Sequence, residues 1–287
     1  MRETRARVPA PLLVALLLLV EGLYYVFARL LIGVMPPAAS AFWMLVLAAA
    51  QVAVLARGRI GLGTLRRHPG FFLVLGLLVG VNTNLGFAAM RWIDPGTAAL
   101  LTRISVLFGV GLGVVWLGER LRRRDVVGGA LAVAGTVVVS VQPGDYARLG
   151  ALVIVGSTFL YALHSAIVKR YGGAMPFMDF FFFRLAATSA VLFVLAAGQG
   201  VLAWPEAGAW PLLVLAATVN VVVSRALYYL ALRRLPMSRL TLILTASPLV
   251  TILWSLALFG SVPTPAEAAG GVAILAGVAL VSAGRAR

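Results

Sequence analysis

Four ionisable residues, Glu21, Arg103, Arg184 and Arg225, lie inside long apolar runs of this sequence. An Arg or Asp at the centre of a membrane helix costs about 2.5–3.5 kcal/mol on insertion scales. Such groups therefore face a bundle interior, pair with one another, or line a water-filled path. Three cations against one anion leave two positive charges in excess. Either carbonyls and loop acids such as Asp179 compensate, or an anionic group of a ligand does. The excess favours a carboxylate-bearing or zwitterionic solute over a plain cation. At 1.5 Å per residue, Arg184 and Arg225 lie about 11–12 Å from one end of their runs, near the limit for snorkelling. The alternative role for each of the three arginines is to lock helices together.

Tyr24, Tyr25 and Ala28 share a helical face with Glu21. A matching run 140 residues later carries Ser157, Tyr161, His164, Ser165 and Val168 on one face, with Tyr161 in the place of Glu21 and His164 in that of Tyr24. Opposite walls of one cavity would show this pattern. Glu21 is the candidate protonatable coupling group, with a salt bridge to Arg103 as its alternative. The tyrosines have an interfacial belt as theirs, and His164 has plain packing. Asn82 and Asn84 interrupt a third apolar run between glycines, and the corresponding later run holds Asn220, Ser224, Arg225 and Tyr229. Interrupted helices at corresponding places point to a binding site, where a kinked or unwound backbone offers amides and carbonyls. Interhelical hydrogen bonding by Asn is the alternative. The candidate solute-contacting residues are thus Glu21, Tyr24, Asn82, Asn84, Arg103, Tyr161, His164, Arg225 and Tyr229.

Catalytic and cofactor chemistry find no support. There is no Walker-type phosphate loop, no convincing metal-ligand cluster, and no nucleophile with supporting context. Gly109, Gly111 and Gly113 lie in an apolar helix with no strand before them, so they are not a nucleotide loop. Neither an enzyme nor a cofactor is expected.

The elements that must position these residues follow from composition. Of 287 residues, 62% are hydrophobic and 11% charged, with no cysteine. That excludes a disordered chain and disulfide chemistry. The net charge of +15 sits in short clusters between apolar runs, which argues against nucleic-acid binding. Since a membrane span takes about 20 apolar residues, ten spans are expected: 9–33, 36–56, 69–92, 95–117, 125–142, 148–169, 176–198, 210–232, 236–259 and 265–283. Prolines stand at or near most of their starts. The first run continues past Glu21 and is too long for a signal peptide.

Val106–Ser140 repeats as Pro248–Ser282, an offset of 142; the offset is 140 at Pro36 and Pro176, and 141 at Pro95 and Pro236. Five spans per half make the second half inverted relative to the first, with halves 1–143 and 144–287. With both termini cytoplasmic, the inner segments carry 18 of the 24 Lys and Arg and the outer segments three. That is a strong positive-inside bias. Inverted repeats of this kind typify secondary transporters with a site near the midplane. The fold expected is an all-α integral membrane protein of ten transmembrane helices as two inverted five-helix repeats.

A span followed by Leu-Gly-Glu-Arg-Leu at 117–121 and a glycine-punctuated span, in two five-span halves, resembles the EamA-like branch of the drug/metabolite transporter superfamily. The resemblance implies ten helices, a central cavity and export of small metabolites such as amino acids. Two positions depart from the family pattern: Val106 replaces a proline that the second half keeps as Pro248, and Met44 replaces an arginine that the second half keeps as Arg184. The reading is a secondary transporter of the bacterial inner membrane that exports amino acids or related carboxylate or zwitterionic solutes by alternating access. Protons are its candidate coupling ion. The alternatives are a non-transporting membrane subunit and a lipid-handling membrane protein.

Overall fold

The computed structural model describes residues 9–23, 27, 30–31, 34–89, 105–140, 148–247, 250, 253–254, 257 and 265–282. Among them every regular element is helical. α1 spans Ala10–Gly22, α2 Pro37–Ala56, the short α3 Leu62–Arg67, α4 Pro69–Ala89, α5 Ser105–Val115 and α6 Arg123–Ser140. α7 spans Arg148–Tyr171, α8 Phe177–Gly198, α9 Trp210–Ala216, α10 Ser224–Arg234, α11 Met237–Leu244 and α12 Pro265–Ser282. A 3-10 turn at Ala207–Ala209 opens α9, and a π-helical stretch, Ala217–Val223, carries α9 into α10. Four described stretches are long and apolar enough to cross a membrane: Ala38–Ala56, Leu152–Tyr171, Phe177–Gly198 and Ala207–Arg234. Pro11–Gly22, Pro69–Leu85 and Ser105–Val115 are shorter apolar helices.

Prolines set where several helices begin. Pro9, Pro36, Pro176 and Pro236 stand immediately before α1, α2, α8 and α11 with φ near −55°. None of these four N-termini has a side-chain cap from that residue, so the free amides must find partners elsewhere. At α11 the partner is Glu119. Its Oε1 accepts from the Met237 amide at 2.6 Å and its Oε2 from the Ser238 amide at 2.9 Å and from the Ser238 hydroxyl. Gly118 makes this possible: it takes φ +68°, a left-handed conformation that only glycine adopts cheaply. The chain reverses there, so the Glu119 amide donates back to the Gly113 carbonyl at 2.9 Å. The Leu-Gly-Glu sequence is therefore a helix stop followed by a cap for a distant helix.

α4 lies between α7 and α8, α2 contacts α8 and the π-helical stretch, and α1 contacts α10. α5 contacts α7 and α11, and α6 contacts α12. Small residues set the closest approaches. A Cβ added at Gly76 would stand 2.8 Å from the Ala187 carbonyl oxygen, and one at Gly80 2.6 Å from Val191 Cγ1. Gly109 meets Thr241 and Gly113 meets Ser238 and Glu119 in the same way. The small-xxx-small spacing of α4 and α5 thus brings backbones together, as such steps do between membrane helices. Phe72, Phe180, Phe181, Phe183 and Tyr229 fill the core between α4, α8 and α10. Val54, Leu55, Val115, Leu152, Val194, Val272 and Leu275 point outward and are exposed. An apolar exterior around a core holding Arg and His suits a lipid solvent.

Candidate transport site

α1, α5, α7, α10 and α11 converge on a cavity of about 150 Å³. Glu21, Ser105, Tyr161, Ser165, Arg225 and Tyr228 bring polar groups to its wall, and Thr241, Thr245 and Ser247 add three hydroxyls from α11 and beyond. Val106, Gly109, Ala162, Met237 and Leu244 supply the apolar remainder. α4, which carries Asn82 and Asn84, contributes no residue to this wall.

Glu21 and Arg225 form the centre. Arg225 Nη2 lies 3.3 Å from Glu21 Oε1, with both side chains partly solvent-accessible, 18% and 25%. Arg225 Nη1 donates to the Tyr161 hydroxyl at 2.9 Å, and the guanidinium carbon lies 5.8 Å from the centre of the Tyr161 ring. The Ser224 hydroxyl donates to Glu21 Oε2 at 2.6 Å. Each ionised group therefore keeps neutral hydrogen-bonding company in addition to its counter-charge, which is what a charge in a low-dielectric interior requires. Ser224 and Arg225 begin α10 directly after the π-helical stretch, whose Thr218 hydroxyl donates to Gln51 Oε1 of α2 at 3.0 Å. Single π turns inside α-helices often sit at functional sites.

A second polar layer lies one helical turn further along α7 and α10. The Tyr228 hydroxyl donates to Ser165 Oγ at 2.8 Å, and Ser165 Oγ donates to the Tyr161 carbonyl at 3.0 Å. The Tyr229 hydroxyl and His164 Nε2 are 3.2 Å apart. The Arg184 guanidinium carbon stands 5.4 Å from the centre of the Tyr229 ring. His164 and Tyr229 are fully buried and Arg184 is only 3% exposed. His164 Nδ1 and Arg184 Nε have no hydrogen-bond partner.

Beyond this layer the molecule ends in a belt of cations that cap backbone. Lys169 Nζ donates to the Leu232 and Leu235 carbonyls at 2.6 Å. Arg233 Nη2 donates to the Gly172 and Met175 carbonyls at 2.8 and 3.0 Å, and Arg170 Nη1 to the Trp116 carbonyl at 2.8 Å. Cations at helix C-termini satisfy exposed carbonyls and the helix dipole together. Arg170 and Glu119 link the end of α5 to α7 and α11.

The sequence candidates separate accordingly. Glu21, Tyr161 and Arg225 meet in the cavity. His164 and Tyr229 sit behind its wall rather than in it. Asn84 points elsewhere, its Oδ1 accepting from Gln199 Nε2 at 3.0 Å. The expected break in the backbone at Asn82 and Asn84 does not occur: α4 runs unbroken from Pro69 to Ala89, with the Thr83 hydroxyl bonding back to the Val79 carbonyl at 2.8 Å. The irregular backbone is in the corresponding later helix, at Ala217–Val223. Tyr24 and Arg103 lie outside the described residues. Glu21 pairs with Arg225; the pairing with Arg103 considered from sequence involves a residue outside the described ones. Thr241 and Thr245 went unnoticed in the sequence; their i, i+4 spacing on an apolar helix is the signal that places both on one face.

A helical protein with an apolar exterior, membrane-length helices and a part-buried ion pair beside a polar cavity is a multi-pass membrane protein. The EamA-like transporter family matches residues 8–141 and again 148–283, and the chain belongs to that family. A curated relative, the "Probable terminal-alkyne amino-acid exporter" of Streptantibioticus cattleyicolor, is 27% identical over 197 residues, 66% of this chain. The match spans 65% of that relative's length. A solved crystal structure superposes with a TM-score of 0.83, covering 96% of each chain at 21% identity, which establishes likeness of fold alone.

Proposed function

We propose that this transporter exports small amino acids, or related carboxylate or zwitterionic solutes, by alternating access. The observation that carries the reading is the Glu21–Arg225 pair at 3.3 Å on the cavity wall. A zwitterion places its carboxylate on Arg225 and its ammonium on Glu21, exchanging one ion pair for two without stranding a charge. Ser105, Tyr161, Thr241 and Thr245 satisfy the remaining lone pairs and protons. A cavity of about 150 Å³ suits a compact solute in this state. The relative from Streptantibioticus cattleyicolor, named as an amino-acid exporter, supports the same class.

In this reading the chain has ten spans in two inverted halves, 1–143 and 144–287, with both termini cytoplasmic in a bacterial inner membrane. The end bearing Lys169, Arg170, Arg233 and Arg234 is then cytoplasmic. Glu21 is the protonatable group that couples transport to protons. Proteoliposomes containing the purified protein and a panel of labelled amino acids test it. Accumulation or release of at least one amino acid, made insensitive to a pH gradient by Glu21→Gln, is expected. A panel with no transported member refutes the reading.

A further inference from the structure

Among the described residues no anion pairs with Arg184. It is 3% exposed, its Nε has no hydrogen-bond partner, and its described contact is the face of Tyr229 at 5.4 Å. A guanidinium does not shed its charge in a protein. A buried, uncompensated charge is unfavourable unless paired and hydrogen-bonded, and the ring of Tyr229 answers only part of that need. Beside it, His164 is fully buried with Nδ1 unpartnered, while its Nε2 faces the Tyr229 hydroxyl at 3.2 Å. When Tyr229 donates to Nε2, the ring hydrogen is on Nδ1, and that nitrogen becomes a second free donor. Two unsatisfied buried donors, one of them charged, describe a receptor for an oxyanion.

The position is as informative as the chemistry. Along α10, Tyr229 lies one turn, about 6 Å, nearer the cation-rich end than Arg225. Along α7, His164 is likewise nearer that end than Tyr161. The two layers touch, since the Tyr161 and His164 rings are 5.5 Å apart and the Tyr228 and Tyr229 rings 5.3 Å apart.

We infer that Arg184 and His164 form a second anion station, one turn nearer the cation-rich end than Arg225, which receives the carboxylate of the transported solute when that end opens. It is buried here, and the solute's carboxylate passes from Arg184 to Arg225 as the helices rearrange. This rests on the transport reading above. It differs from a structural role for Arg184 in being one-sided: the station serves solute arriving from one face only.

The test measures uptake of the labelled amino acids in inside-out and right-side-out membrane vesicles. Arg184→Met is expected to raise KM at least tenfold for solute presented at the cation-rich face and to leave KM at the opposite face within twofold. Arg225→Met is expected to raise KM at both faces. Arg184→Lys, which keeps the charge but not the forked donor set, is expected to raise KM at the cation-rich face by a smaller factor, and it decides the matter if Arg184→Met does not assemble. A variant of Arg184 that assembles with KM unchanged at both faces, or raised equally at both, overturns the station and leaves the transport reading standing. Wild-type vesicles that carry no amino acid overturn both.

Discussion

Glu119 and Ser238, 119 residues apart, are joined twice: the Glu119 carboxylate accepts from both the amide and the hydroxyl of Ser238. With the Met237 amide also bound, a residue on the turn after α5 supplies the N-terminal cap that Pro236 does not give α11. Loss of a cap typically costs about 0.5–2 kcal/mol. Glu119→Ala is therefore expected to lower the melting temperature of the detergent-purified protein measurably. Glu119→Gln, which keeps an oxygen acceptor, is expected to lower it less. Equal melting temperatures for wild type and Glu119→Ala would show that the cap is dispensable.

Glu21 is reached by both Arg225 and Ser224. Ser224→Ala removes one hydrogen bond to a charged group, worth about 1.5–3 kcal/mol, and leaves the ion pair. It is expected to alter KM by roughly tenfold or more while transport keeps its response to pH. Glu21→Gln removes the carboxyl to which proton coupling is assigned in the proposed function, and the transport rate is expected to lose that response. Flux assays over a range of external pH separate the two.

Tyr161 holds Arg225 through its hydroxyl and its ring. Tyr161→Phe deletes only the first. Hydrogen bonds to charged groups contribute about 1.5–3 kcal/mol, so solute affinity is expected to fall by roughly tenfold or more, read as a smaller ligand-induced rise in melting temperature. Tyr161→Leu, which removes the ring as well, is expected to fall further.

Gly80 and Gly111 are both glycines in apolar helices, and their surroundings predict opposite outcomes. A Cβ at Gly80 would meet Val191 Cγ1 at 2.6 Å, whereas nothing lies within 4 Å of one at Gly111. Gly80→Leu is expected to destabilise through overpacking, typically by about 1–3 kcal/mol. Gly111→Ala is expected to be neutral or slightly stabilising, because glycine is a poor helix former. Thermal melting of the two variants side by side measures the contrast.

Apolar run length and flanking prolines made the described helices legible, because backbone in lipid must satisfy its own hydrogen bonds and helices are the simplest way to do so. Glu21 and Arg225 were legible because a charge within an apolar run is conspicuous, and Tyr161 because it recurs at the place of Glu21. Which cation pairs with Glu21 depends on the faces that meet after packing, and spacing along the chain does not encode that. Asn82 and Asn84 looked like a broken helix because polar residues between glycines suggest an interruption. The helix absorbs them, with Asn84 bonded to Gln199 at the ends of α4 and α8. The irregularity instead falls in Ala-Thr-Val-Asn-Val-Val-Val, where β-branched residues carry no sign of it. Thr241 and Thr245 escaped notice because hydroxyls are common in membrane helices and gain meaning only from what they face.

The π-helical stretch has an arithmetical consequence. The offset between the two family-matched stretches is 140 at Pro36 and Pro176 but 141 at Phe87 and Tyr228, so the later one holds a residue that the earlier one lacks. Ala217–Val223 lies within that interval, and a π turn takes up one more residue than an α turn. A residue added to a plain α-helix turns everything after it by about 100° about the axis. A π turn absorbs such a residue, so Ser224 and Arg225 keep the face they present to Glu21.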